Sequence, residues 1–213
     1  MLAMALFPTF LHGAKCSPDG QSVTSEGWSK QIRRVCLTQA VEANSFPSPD
    51  KSKVIVADSS GFHLRLDGKS VVWQEGEELM ARGSEVSWSP QSSAFFISYA
   101  DGSGLDGWTL KVYAVSDGQV VSHSEINQEI VRRFRTDVGC PAGAVDPNVR
   151  GLGWSENGAD IYAFAQATVS QSCGQQGDFR GVAMSIAKGS LLSFYSEAET
   201  KAHFHNLLPY NMR

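Results

Sequence analysis

Asp101-Gly102-Ser103-Gly104-Leu105-Asp106-Gly107 places two carboxylates and a hydroxyl in a glycine-rich stretch. That is a donor set which a hard, oxygen-seeking cation such as calcium can use. Leu105 stands where an oxygen ligand would help, and no bidentate Glu follows at EF-hand spacing, so the stretch reads as an inter-strand loop. His203 and His205 are two apart and chelate together only on extended backbone. On the helix expected there they point to different faces, and no Cys or acidic partner stands at supporting spacing, so no metal is expected. Ser48-Pro49-Asp50-Lys51 satisfies S-x-x-K, but Pro49 breaks the helix which that chemistry uses, and K-T-G is missing. G-x-S-x-G, the P-loop and a G-x-G-x-x-G before a helix are all absent, so no catalytic residue is assigned and no cofactor is expected. Arg132, Arg133 and Arg135 form the basic cluster, with Arg150 not far along the chain. Their planar forks suit a carboxylate or an acidic partner, and equally the solvated end of a helix balanced by Glu125 and Glu129. Two regions are therefore the candidate contact sites: Asp101, Asp106 and Trp108 in one, Arg132, Arg133 and Arg135 in the other.

The 213 residues are 42% hydrophobic and 19% charged, which suits a folded domain and excludes disorder and a coiled coil. Eighteen Lys and Arg against 22 Asp and Glu give a net charge of −4, without the basic balance that holds a phosphate backbone. Nucleic acid is not an expected partner, and no membrane span is expected. Twenty Gly and eight Pro favour many turns over long helices.

Three segments repeat one another. Phe46-Pro47-Ser48-Pro49-Asp50 leading into Val54-Ile55-Val56 matches Ser87-Trp88-Ser89-Pro90-Gln91 leading into Phe95-Phe96-Ile97. Both match Gly153-Trp154-Ser155-Glu156-Asn157 leading into Ile161-Tyr162-Ala163. In the first two copies Pro fixes φ at the second turn position, the Ser before it caps the turn, and the apolar run is a buried strand. Each copy is followed by a hairpin, turning at Asp67-Gly68, Asp117-Gly118 and Lys188-Gly189, with a type I′ turn expected at the Asp-Gly pairs. Four short antiparallel strands per repeat follow, near 45–75, 86–122 and 149–195. Trp28, Trp73, Trp88, Trp108 and Trp154 mostly recur at repeat positions and read as core, while Trp108 follows a long loop and suits a binding rim.

A helical insertion is expected over 122–136, with Ser122 and Glu125 as capping box and Ile126, Ile130 and Phe134 on one face. A C-terminal helix is expected over 197–208, with Ser196 and Glu199 as capping box and Pro209 ending it.

The Trp88-Ser89-Pro90 turn, its relatives at Ser48 and Ser155, and the closing hairpins resemble the WD40-like, or TolB-type, β-propeller repeat over about residues 45 to 195. The resemblance implies an all-β domain over 15–213, of three or four propeller-type four-stranded blades with two accessory helices. Propellers commonly close with four to eight blades. Cys16-Ser17-Pro18-Asp19-Gly20 echoes the turn, so residues 3–43 can hold a degenerate fourth blade. An open array, or a homodimer completing the propeller, are the alternatives. The resemblance further implies a protein partner in the cell envelope, bound through the blade loops. The other reading is a small hydrolase or carbohydrate-active enzyme with carboxylates from different blades.

If the strands flanking Glu156-Asn157-Gly158 form a hairpin, opposed residues have numbers summing to about 313 to 317, and those of Cys140 and Cys173 sum to about 313. The register thus predicts a Cys140–Cys173 disulfide, and Cys16–Cys36 pair by elimination. Met1 to Ala14 is apolar enough for a secretory signal core but carries no Lys or Arg, so it reads as a degenerate signal or an N-terminal strand. Paired cysteines place the chain in the periplasm or outside the cell; four buried thiols would place it in the cytoplasm.

Overall fold

The computed structural model describes residues 31–35, 37, 42–66, 70–75, 83–100, 107–167, 173–175, 177–208 and 212–213. The N-terminal segment 1–14, Cys16, Trp28, Cys36, the Asp67-Gly68 turn, Asp101, Asp106 and Pro209 lie outside them.

Among the described residues the chain is mostly β, in three antiparallel sheets with two helices. The first sheet runs β2 (Ala43–Pro47), β3 (Lys53–Asp58), β4 (Gly61–Leu66), β5 (Ser70–Glu75), each strand beside its sequence neighbour. The third does the same with β10 (Asn148–Trp154), β11 (Asp160–Gln166), β12 (Phe179–Ser185) and β13 (Ser190–Tyr195). The second contains β6 (Glu85–Trp88), β7 (Ala94–Ala100), β8 (Trp108–Ser116) and β9 (Gln119–Ser122) in that order. A fifth strand, β1 (Arg33–Arg34), joins the second sheet by pairing with β6. The described part of the N-terminal region therefore extends an existing sheet. The rest of the expected fourth unit lies outside the described residues.

One turn opens each sheet's first hairpin. Ser48 accepts at its carbonyl from the Lys51 N–H (2.9 Å) and at its hydroxyl from the Lys53 N–H (3.1 Å). Ser89 does the same with Ser92 and Ala94, and Ser155 with Gly158 and Asp160. The fourth position is left-handed each time: φ is 63° at Lys51, 60° at Ser92 and 64° at Gly158. The three turns touch in succession, the Asp50 N–H donating to Ser92 Oγ (3.1 Å) and Gln91 Nε2 to the Glu156 carbonyl (3.1 Å).

Counting from those serines also accounts for the core. Side chains alternate across a strand, so positions six and eight face one way and seven and nine the other. Ile55 and Ala57 of the first sheet pack with Phe95 and Ile97 of the second; Phe96, on the second sheet's other face, packs with Ile161 and Ala163 of the third. The second sheet is thus a layer buried between the other two, which is why its strands read as near-continuous apolar runs. Tryptophans tie the layers at β2, β6 and β10, Trp88 Nε1 donating to the Phe46 carbonyl (2.9 Å) and Trp154 Nε1 to Ser87 Oγ (3.0 Å). Trp73 packs edge-on to Phe95 and Tyr113.

The Asp117-Gly118 hairpin turn has φ of 51° and 75°, as a type I′ turn requires. At the third hairpin only Gly189 is left-handed, and four residues separate the paired Ser185 and Ser190, a wider loop than the two-residue turn.

Helix α1 (Ser124–Val138) buries Ile126, Ile130 and Phe134 in the layer between the second and third sheets. It starts two residues later than expected, and Ser122 with Glu125 does not form its capping box. Ser122 is held in β9, paired with Tyr113, so the chain enters the helix at His123, whose ring nitrogen Nδ1 bonds Glu125 Oε1 (2.7 Å). Helix α2 (Glu197–His203) has the Ser196–Glu199 capping box and ends five residues early. Phe204 leaves helical geometry and its carbonyl accepts from both Leu207 and Leu208, a turn that sends Phe204 and Leu208 together into one apolar cluster.

Candidate functional site

At the ends of β2, β6 and β10 away from the serine turns, the ladders align three polar residues. Asn44 pairs with Ala57, Glu85 with Ser98 and Arg150 with Phe164, and these partners are all nine residues after their turn serine. Arg150 sits one residue further from its serine than the other two because a bulge between Gly151 and Gly153 inserts Leu152. Asn44 and Glu85 are buried, at 4% and 1% exposure.

Glu85 and Arg150 form an ion pair, the guanidinium Nη2 lying 2.5 Å from Oε1. They meet because the third sheet presses closely on the second. Gly151 N–H donates to Ser98 Oγ (3.0 Å), and a Cβ at Gly151 would lie 2.5 Å from the Phe96 ring. The Arg150 guanidinium also lies over the Trp108 indole, 3.9 Å from its centroid. Trp108 is fixed in turn by its N–H, which donates to Asn148 Oδ1 (2.8 Å). Burial lowers the Arg150 pKa from its ordinary value, the Glu85 carboxylate opposes that, and the nearby Arg34 charge adds to it. Arg34 is opposite Glu85 in the β1–β6 ladder, so two guanidinium groups and one carboxylate converge here. Arginine keeps its proton at any ordinary pH, so the site holds a fixed positive charge behind a half-buried indole.

Trp108 is the candidate contact residue of its region that the structure describes, and its companion is Arg150. Arg132, Arg133 and Arg135 lie elsewhere, along α1. Arg132 pairs with Glu129 (2.6 Å), and Arg135 bonds Asp146 (2.9 Å) and the carbonyls of Ala144 and Pro141. Arg133 lies over the Phe194 ring at 4.9 Å. Glu85 and Asn148 escaped the reading of the sequence. The signal for Glu85 was its place: a charge at the head of the apolar run Glu85-Val86-Ser87-Trp88, four residues before a turn serine.

Cys140 and Cys173 stand at disulfide distance, Cα atoms 4.5 Å apart, and tie the end of α1 to the β11–β12 connection. The hairpin register that brings them together has opposed residues from Asn148↔Gln166 to Trp154↔Ile161. Such a pair is compatible with an oxidising compartment. His203 stacks on Tyr195 (4.8 Å between centroids) and His205 is exposed. Among the described residues no three His, Cys, Asp or Glu are grouped to hold a metal, and no helix is long and apolar enough to cross a membrane. Asp50, Asp58, Glu125, Glu129 and Glu199 all have pKa values below the ordinary ones.

No protein-family model matches this chain, and a search of curated proteins finds no match.

Proposed function

We propose that the three sheets are blades of the WD40-like, TolB-type kind and that the chain is a binding module. It recognises a protein partner of the cell envelope at the end of the sheets that carries Trp108, away from the serine turns. Three features support the blade reading: consecutive four-strand meanders, the same serine turn in each, and layer-on-layer packing linked by tryptophans. The observation that carries the binding reading is Arg150 held by Glu85 against a half-buried Trp108. Tryptophan and arginine are the residue types on which interface energy concentrates, above all where their geometry is fixed before the partner arrives.

The test is site-specific photocrosslinking in the native host, with the photoreactive residue placed at Gly107, next to Trp108, in one strain and at Asn157, on a serine turn, in another. A defined envelope protein captured from position 107 and not from 157, and lost when Trp108→Ala is added with the melting temperature unchanged, is the expected result. Equal capture from both positions, or capture that ignores Trp108→Ala, overturns the reading.

A further inference from the structure

The third sheet has two apolar faces, and they have different covers. In the first two sheets, residues seven and nine after the turn serine face the following sheet, as Ile55 and Ala57 do. In the third sheet the same positions are Tyr162 and Phe164, and what they meet is the chain's own C-terminal segment: Phe204, Leu208 and Met212. The contact is close. Phe204 is 3% exposed and Leu208 fully buried. Thr200 Oγ1 accepts from the Gly181 N–H (2.7 Å), and a Cβ at Gly181 would come within 2.7 Å of Thr200 Cγ2. A seven-residue helix with one turn beyond it therefore stands where the series of layers would continue.

We propose that residues 197–208 are a built-in cap that keeps the third sheet from associating with a second copy of this chain. The face beneath it carries Leu152, Tyr162, Phe164 and Phe179 around the hollow at Gly181. An apolar face of this kind, once uncovered, associates. The occupant is the same face of another copy, two third sheets meeting about a two-fold axis. Head-to-tail stacking onto the first sheet is disfavoured because Val56, on that sheet's outward face, is already only 7% exposed.

The experiment compares wild type with Phe204→Asp/Leu208→Asp by light scattering from about 1 to 100 μM, a span that registers micromolar association. The wild type is expected to run as a monomer and the cap variant, with its β circular dichroism and cooperative melting intact, at twice the chain mass. Adding Tyr162→Lys, on the face itself, returns it to monomer. A folded cap variant that stays monomeric overturns the proposal, as does a dimer indifferent to Tyr162→Lys, or a wild type that is already dimeric. A cap variant that cannot fold overturns it too, because the segment would then be core and not cover.

Discussion

At one end of β2, β6 and β10 three serines make the same two hydrogen bonds within six residues; at the other, Asn44, Glu85 and Arg150 occupy matching positions with unlike side chains. The serine end is built from neighbours in sequence, so it can be repeated with little regard to what surrounds it. The other end joins residues far apart in the chain, Glu85 and Arg150 by 65 positions, and its parts have meaning only once the sheets are stacked. Local hydrogen bonding thus shapes the layers, while long-range polar contacts give one layer an individual character.

The contrast is broken most severely at Glu85. Replacing it by Ala takes away the carboxylate that the partly exposed Arg150 guanidinium meets, and a loss of about 2–3 kcal/mol is expected from urea unfolding. The double variant Glu85→Met/Arg150→Met should recover most of that stability, because two apolar side chains replace the pair. A double variant as unstable as the single one would show that the cost lies in packing and not in charge.

The next largest effect belongs to the serine end. Ser89 is fully buried, and Ser89→Ala strands the Ala94 N–H, at a cost of about 1–3 kcal/mol. Ser155, at 9% exposure, should lose less on the same change, since water can reach its partner. Equal losses at both serines would mean that burial does not grade these turns.

A smaller pair of effects separates the fourth turn positions. Gly158→Ala forces a side chain into left-handed backbone and against Gln91 Oε1, costing about 1 kcal/mol or more. Lys51→Gly relieves the same backbone at an exposed site and should gain up to about 1 kcal/mol. Thermal midpoints moving in opposite directions are the expected readout.

The smallest effect is one of pH. Hydrogen bonds from the Ser48 hydroxyl and from Ser52 hold the Asp50 carboxyl far below the ordinary carboxylate range. The folded pKa is thus depressed, so its stabilising contribution is complete above the unfolded value and fades as pH falls towards the folded one. Asp50→Asn should flatten the acid limb of the stability curve below about pH 4, where an unfolded Asp begins to bind its proton. Asn157, at the sister position, makes the same kind of turn without a charge, accepting from Ser155 Oγ (2.7 Å). Asn157→Ala should leave the acid limb unchanged.

Much of the turn-and-strand pattern is legible in the sequence. Ser-Pro-Asp, Ser-Pro-Gln and Ser-Glu-Asn followed by apolar runs encode a turn and a strand through contacts six residues long, and Ile126, Ile130 and Phe134 mark a helical face by their spacing alone. The hairpin register around Asn157 was legible as well, and with it the approach of Cys140 to Cys173. Where a local signal competed with pairing, pairing won. Ser122 had the spacing of a cap and is instead in β9, and the helix expected to run to residue 208 ends at His203 so that Phe204 and Leu208 reach the third sheet.

The sequence by itself determined the repeated turns, the strands after them and the amphipathic helix, because those depend on hydrogen bonds and periodicities that close within a few residues. Only the tertiary structure decided that β1 joins the second sheet, that the C-terminal segment covers the third, and that Trp108 meets Arg150 and Glu85. Those contacts join residues tens of positions apart, and chain spacing carries no record of them until the layers have packed.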